Sequence, residues 1–205
     1  MKKIVLTIIC LLCVALCLVG CADYSADVIK INKLLNSPDY AKVELEVFVN
    51  DNELVSWFEV TENDDGSSTV VFKVQRYATF PEEDDGTLPD SFIETFEGSA
   101  TIRNGQVTDV SGDVPQDVQL QNVLGGMQFS PNYLSDIKVN GRILSAKVSK
   151  PQKFMGQADF DCKANSMTVS VKYYKLINHI RINYVTSGGD KVEFKYTYTP
   201  SPSVL

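Results

Sequence analysis

The sequence is short of the residues that most site chemistry draws on. Among its 205 residues there is one histidine, one tryptophan and five cysteines, four of which fall within the first twenty-one positions. Zinc centres are built mainly from cysteine and histidine, so His179 and Cys162 by themselves do not make one. There is no Gly-x-Ser-x-Gly elbow, no paired-histidine motif and no glycine-rich phosphate loop after a strand. The common hydrolase, metalloprotease and nucleotide-binding signatures are therefore missing. His179 lies between Asn178 and Ile180 in an expected strand, with no partner beside it, and reads as a surface or edge residue. The acidic runs 82–85 and 63–65 offer hard oxygen atoms but not the spaced ligands and closing glutamate of a calcium loop. They read as solvated turns. The chain is expected to be no enzyme, to bind no metal and to use no cofactor.

Positive charge is scarce as well. Lys and Arg number 19 against 26 Asp and Glu, a net charge of −7. A surface of that sign argues against nucleic acid as a partner and against broad docking on anionic headgroups.

What the chain does have begins at its start. Lys2 and Lys3 precede an uncharged, apolar run over 4–19 that closes on Gly20 and Cys21 and turns polar at Asp23. A charged n-region, an apolar h-region and small residues at a cleavage site make an export signal. The run is short of the roughly 20 residues a spanning helix needs, which disfavours an uncleaved anchor. Leu18-Val19-Gly20-Cys21 resembles the lipobox of bacterial lipoproteins. That resemblance implies a signal peptide over 1–20, cleavage before Cys21 and diacylglycerol on its sulfur. It also implies a cell-envelope protein facing outside the cytoplasm and tethered to the membrane. Each buried methylene contributes about 0.8 kcal/mol, so two chains hold where one would come off.

Losing the signal removes two lysines and no acid, which carries the charge from −7 to −9. Cys10, Cys13 and Cys17 leave with it, and Cys21 is spent on lipid. Cys162 is left without a partner in its own chain, so the exported domain is expected to fold without a disulfide. Its setting, Phe160-Asp161-Cys162-Lys163, reads as a strand carrying a half-buried structural thiol.

Residues 21–22 make an anchor and short linker, 23–199 a single β-rich domain and 200–205 a loose, proline-containing tail. Within the domain, 23–36 has Val28, Ile31, Leu34 and Leu35 at helical spacing, with Ser25 or Asp27 to cap it. Ser37-Pro38 stops the helix. Period-two alternation then gives strands over 40–49, 53–61 and 69–79, with turns at 50–52 and at Asn63-Asp64-Asp65-Gly66. An acidic loop covers 81–90. Two strands follow over 91–96 and 99–103, then an Asn104-Gly105 turn into 107–110. Residues 114–127 read as a helix with Pro115 at its first position and Val118, Val123, Leu124 and Met127 as its apolar stripe. Another helical turn is expected over 130–136. Strands return over 141–149, 159–164, 166–174, 177–186 and 191–199, with a break at Lys150-Pro151.

Aromatics and apolar strand faces are what remain for function. They form a packed core, or some of them, Trp57 and Phe72 included, line a cavity on the concave face of a curved sheet. The order of helix, meander, central helix and four strands ending in Tyr196-Thr197-Tyr198 resembles the half-barrel of the LolA/LppX-type lipoprotein carriers. Residues 167–198 carry the likeness best. The resemblance implies a mainly β (α+β) fold, a curved antiparallel sheet or half-barrel with one or two helices covering one face. It also implies an acyl-chain ligand between sheet and helices. Val118, Val123, Leu124, Met127, Trp57 and Phe72 are the candidate ligand-binding residues, and Cys21 the lipidation site. The expected function is non-catalytic binding or carriage of an apolar or amphipathic molecule. The alternative is a structural or interaction lipoprotein with a filled interior, whose partner is another envelope protein.

Overall fold

The computed structural model describes residues 24–37, 39–50, 53–77, 93–114 and 127–202. Helix α1 (Ser25–Leu35) precedes β1 (Tyr40–Val49), β2 (Glu53–Glu62), β3 (Ser68–Tyr77), β4 (Ile93–Arg103) and β5 (Gln106–Gly112). Then come β6 (Leu134–Asn140), β7 (Ile143–Val148), α2 (Pro151–Met155), β8 (Thr168–Tyr173), β9 (Ile177–Val185) and β10 (Lys191–Pro200). All ten strands form one curved, unclosed antiparallel sheet, the mainly β architecture expected from the alternation. The strand order is β5-β4-β3-β2-β1-β10-β9-β8-β7-β6. Each neighbouring pair is consecutive in the chain except β1 and β10, which join two meanders along a central seam. There Val43 faces Tyr198, Leu45 faces Tyr196 and Val47 faces Phe194.

Alternation sends one set of side chains to an inner, apolar face. Leu45, Phe58, Val70 and Phe72 supply it in one half, and Val169, Val171, Ile180 and Ile182 in the other. Helix α1 lies on the second half. Val28 and Ile31 are buried beneath it, and Asp27 accepts a 2.7 Å hydrogen bond from the Tyr173 hydroxyl. The expected caps are not used, since α1 starts from Tyr24 with no side-chain cap bond. Asp27 is engaged by Tyr173 instead.

Several expected boundaries move, each for a visible reason. Residues 93–103 form one strand rather than two, because Gly98 stays in register opposite Phe72 and Gly112. Residues 130–136 are not a helical turn. Pro131 to Tyr133 make a turn closed from Tyr133 N to Ser130 O (2.9 Å), and Leu134 then pairs with Val148. The break at Lys150-Pro151 holds α2, for which Pro151 supplies a preset first turn and Gly156, at φ 69°, the left-handed stop. Residues 159–164 form no strand. Phe160 turns onto the Tyr184 ring at 5.0 Å, and Lys163 N reaches Val185 O at 2.7 Å. Cys162 is free and half-buried, as expected, but in an irregular segment. The tail is not wholly loose. Pro200 ends β10 opposite Tyr40, where its missing N–H costs the ladder nothing, and Ser201 N bonds Asp39 O at 2.7 Å. The expected helix over 114–127 lies mostly outside the described residues, as do the signal, Cys21 and the acidic loop.

Candidate functional site

The inner face is built from strand periodicity and then filled from above in the β6–β10 half. Asn32 on α1 clamps one residue there. Its side-chain nitrogen donates to Phe129 O, and its oxygen accepts from Phe129 N at 3.2 Å. Phe129 meets Phe154 of α2 edge to face at 5.1 Å, and Gln128 N donates to Phe154 O at 2.8 Å. Phe154 and Met167 are fully buried beside Ile177, Ile180 and Ile182. Among the described residues, no buried side-chain nitrogen or oxygen lacks a hydrogen-bond partner. Tyr40 illustrates this, accepting from Ile177 N at 2.9 Å while burial pushes its hydroxyl above the usual range. Burial also raises the Tyr196 and Tyr198 hydroxyls well above the ordinary tyrosine value.

The expected ligand-binding residues do not come together as a set. Phe72 is 1% exposed on the inner face, opposite Phe58 and Gly98. Trp57 is half-buried on the other face, between Glu46 and Lys73, so these two aromatics cannot line one cavity. Met127 packs half-buried against the core outside any helix. Val118, Val123, Leu124 and Cys21 lie outside the described residues. Sequence reasoning missed Asn32, Phe129 and Phe154. Asn32 shows as a polar residue within the α1 pattern, while the two phenylalanines stand in segments with no period to read.

The outer face is polar and cross-paired. Lys42 meets Glu59 at 3.1 Å and Glu44 at 3.4 Å, Lys195 pairs with Glu46, and Arg181 lies 3.8 Å from Glu193. Over β8 to β10 the balance turns basic. Ile143, Ser170, Lys172, His179, Arg181 and Lys195 line a shallow depression of about 420 Å³. His179 is exposed there, near the Thr197 hydroxyl at 3.4 Å. Partial desolvation, reinforced by Lys172, Arg181 and Lys195, pushes its imidazole below the ordinary value. A second depression, of about 370 Å³, opens where Phe48, Asn50, Tyr184 and Lys191 meet.

Among the described residues, no three His, Cys, Asp or Glu side chains group as metal ligands, and no helix is long and apolar enough to cross a membrane. The geometry defines an open antiparallel half-barrel with an apolar inner face. Compared with known proteins, the sequence matches no family model and no curated protein.

Proposed function

We propose that this chain is a lipoprotein of the cell envelope, tethered through diacylglycerol on Cys21. Its half-barrel binds an apolar or amphipathic molecule without catalysis. One observation carries the binding reading. The apolar inner face extends across both halves of the sheet, whereas α1, residues 127–130 and α2 meet one another on the β6–β10 half. Phe58, Val70, Phe72 and Val74 on β2 and β3 carry that face in the other half, and in this reading a bound apolar molecule lies against them. Such faces bind by shape and burial, at about 25 cal/mol per Å² of apolar surface removed from water.

A second reading has its own support. Phe72 and Val70 are essentially fully buried and belong to the same core cluster as Ile180 and Ile182. An interior filled this way suits a structural or interaction lipoprotein that meets another envelope protein.

Native mass spectrometry of the purified protein separates the two. A carrier retains phospholipid or fatty acid through purification, and Leu124→Trp on the segment before Met127 reduces uptake of a fluorescent fatty acid while the fold persists. Wild-type protein that neither co-purifies with lipid nor takes up the probe overturns the binding reading. In that case Leu124→Trp only lowers stability, by the roughly 1–3 kcal/mol that overpacking costs.

A further inference from the structure

We infer that the end of the domain formed by α1 and the β6–β7 and β8–β9 turns rests on the anionic leaflet that holds the lipid anchor. The inference rests on the lipoprotein reading. Only Ala22, Asp23 and Tyr24 separate Cys21 from the first residue of α1. Fully extended, that connection spans about 14 Å. Whichever part of the domain lies beside α1 is therefore held at the headgroups.

The strand directions identify that part. Helix α1 begins over β8, where Asp27 reaches Tyr173, and passes the chain to β1 at Tyr40. Tyr40 in turn bonds Ile177 at the start of β9, and Tyr173 N bonds Arg142 O just before β7. The chemistry of this corner differs from that of the chain as a whole. Ile29 is 67% exposed, Tyr174 51% and Ile143 42%, three of the large apolar side chains left open to solvent. The Arg142 guanidinium stacks 3.6 Å from the Tyr174 ring centre, and Lys30 lies 5.3 Å from that of Tyr173. Lys33, Lys172 and Lys175 add charge from α1, β8 and the following turn.

The acids near this corner are Asp23 in the connection to Cys21, Asp27, which accepts from the Tyr173 hydroxyl, and Asp39, which accepts from the Ser37 hydroxyl at 2.6 Å, against the cations Lys30, Lys33, Arg142, Lys172 and Lys175. Asp64 and Asp65 sit at the same end of the sheet but under β2 and β3, and Asp65 is paired with Arg103. A protein acidic overall thus turns a basic, aromatic corner to the side from which it is tethered. Tyrosine rings favour the headgroup level, and anionic lipid attracts basic side chains held within a Debye length of it.

The test uses the full lipidated protein reconstituted in vesicles of phosphatidylcholine, with or without phosphatidylglycerol, carrying brominated acyl chains. Trp57→Phe combined with Tyr174→Trp moves the single tryptophan to the corner. The wild-type protein reports from Trp57, five residues up β2 and about 17 Å from that end of the sheet. Fluorescence of the double variant should be quenched and that of the wild type not, more strongly with phosphatidylglycerol and less so in high salt. Adding Arg142→Gln or Lys175→Gln should each shift the docked-to-free ratio by about fivefold. An unquenched double variant whose intact mass carries the diacylglyceryl group overturns this inference alone. Equal quenching on both vesicle types overturns the role of the cations. A mass without the acyl group overturns the lipoprotein reading and this inference with it.

Discussion

Replacing Gly98 by alanine tests how the sheet meets its own core. A Cβ at Gly98 would lie 2.3 Å from the carbonyl oxygen of Ser111 and 2.9 Å from Cζ of Phe72. Both are far inside contact distance, so something must move. Phe72 has little freedom, being 1% exposed among core side chains. Strand β5 has more, since all seven of its residues are exposed and it forms an edge of the sheet. The expected response is that β5 shifts outward and the Gly98–Gly112 pairing opens. Overpacking of this kind costs about 3 kcal/mol, which in a domain of this size lowers Tm by about 6–12 °C. Gly105→Ala is the comparison. Open space surrounds that Cβ, but φ is +74°, so its cost is the about 1–2 kcal/mol of left-handed backbone alone. Thermal unfolding followed by circular dichroism gives the magnitudes. Hydrogen exchange gives the place, with protection lost along β4 and β5 and kept in β8 and β9. An unchanged Tm for Gly98→Ala, or protection lost evenly across the sheet, would refute the reasoning.

Three further outcomes follow from particular groups. Asn32→Ala leaves both backbone groups of buried Phe129 without their partner, and urea unfolding should show a loss of about 2 kcal/mol, whereas Asn36→Ala on the exposed end of the helix should be near neutral. The Tyr173 hydroxyl is pushed up from 10.0 to about 12, by desolvation first and then by its hydrogen bond to Asp27. A raised folded value stabilises below the unfolded one and is lost as pH climbs through the folded one, so the stability gap between wild type and Tyr173→Phe should narrow between about pH 10 and pH 12. Cys162 is the free thiol among the described residues, so Tm of monomeric protein should be the same with and without reductant, and a drop on reduction would reveal pairing between chains.

How much of this was legible in the sequence depends on the range of the interaction. Strands with clean alternation, such as 43–49, 167–173 and 180–184, could be read within about two residues, because burial of one face is a local, period-two property. Turns with asparagine or glycine at positive φ were legible too: Asn104 and Gly105 stand at 52° and 74°, the left-handed pair a two-residue hairpin needs. Errors arose where tertiary contacts override pattern. Phe160 and Cys162 alternate with polar neighbours like a strand, yet Phe160 is turned onto Tyr184. Leu134 follows a proline turn that resembles a helix start, but pairing with Val148 decides its state. The candidate site was less legible still. Trp57 and Phe72 look equivalent as aromatics, and only the register Phe58–Phe72 with Trp57–Lys73 sends them to opposite faces. A one-residue difference in parity is invisible until strands are paired.

The seam between β1 and β10 joins parts of the chain that no hairpin brings together, so its closure costs more loop entropy than any other strand pair. Side chains pin it at both ends. At one end the Tyr40 ring meets that of Tyr198 at a tilt, centres 5.0 Å apart, and its hydroxyl accepts from Ile177 N. At the other, Asn50 N donates to Lys191 O, Lys191 N donates back to the Asn50 side chain, and the same amide reaches Asp190 at 2.8 Å. Between them Lys195 pairs with Glu46 across the two strands. Because α1 is followed in the chain by β1, the seam also fixes the half-barrel relative to the helix beside the proposed anchor. An apolar site walled by β2 and β3 and a headgroup contact at α1 and the β8–β9 turn would then use different surfaces held in fixed relation by one strand pair. Changes at Arg142 or Lys175 should consequently alter how the domain rests on a bilayer without altering what its inner face binds, and changes at Phe72 should do the reverse.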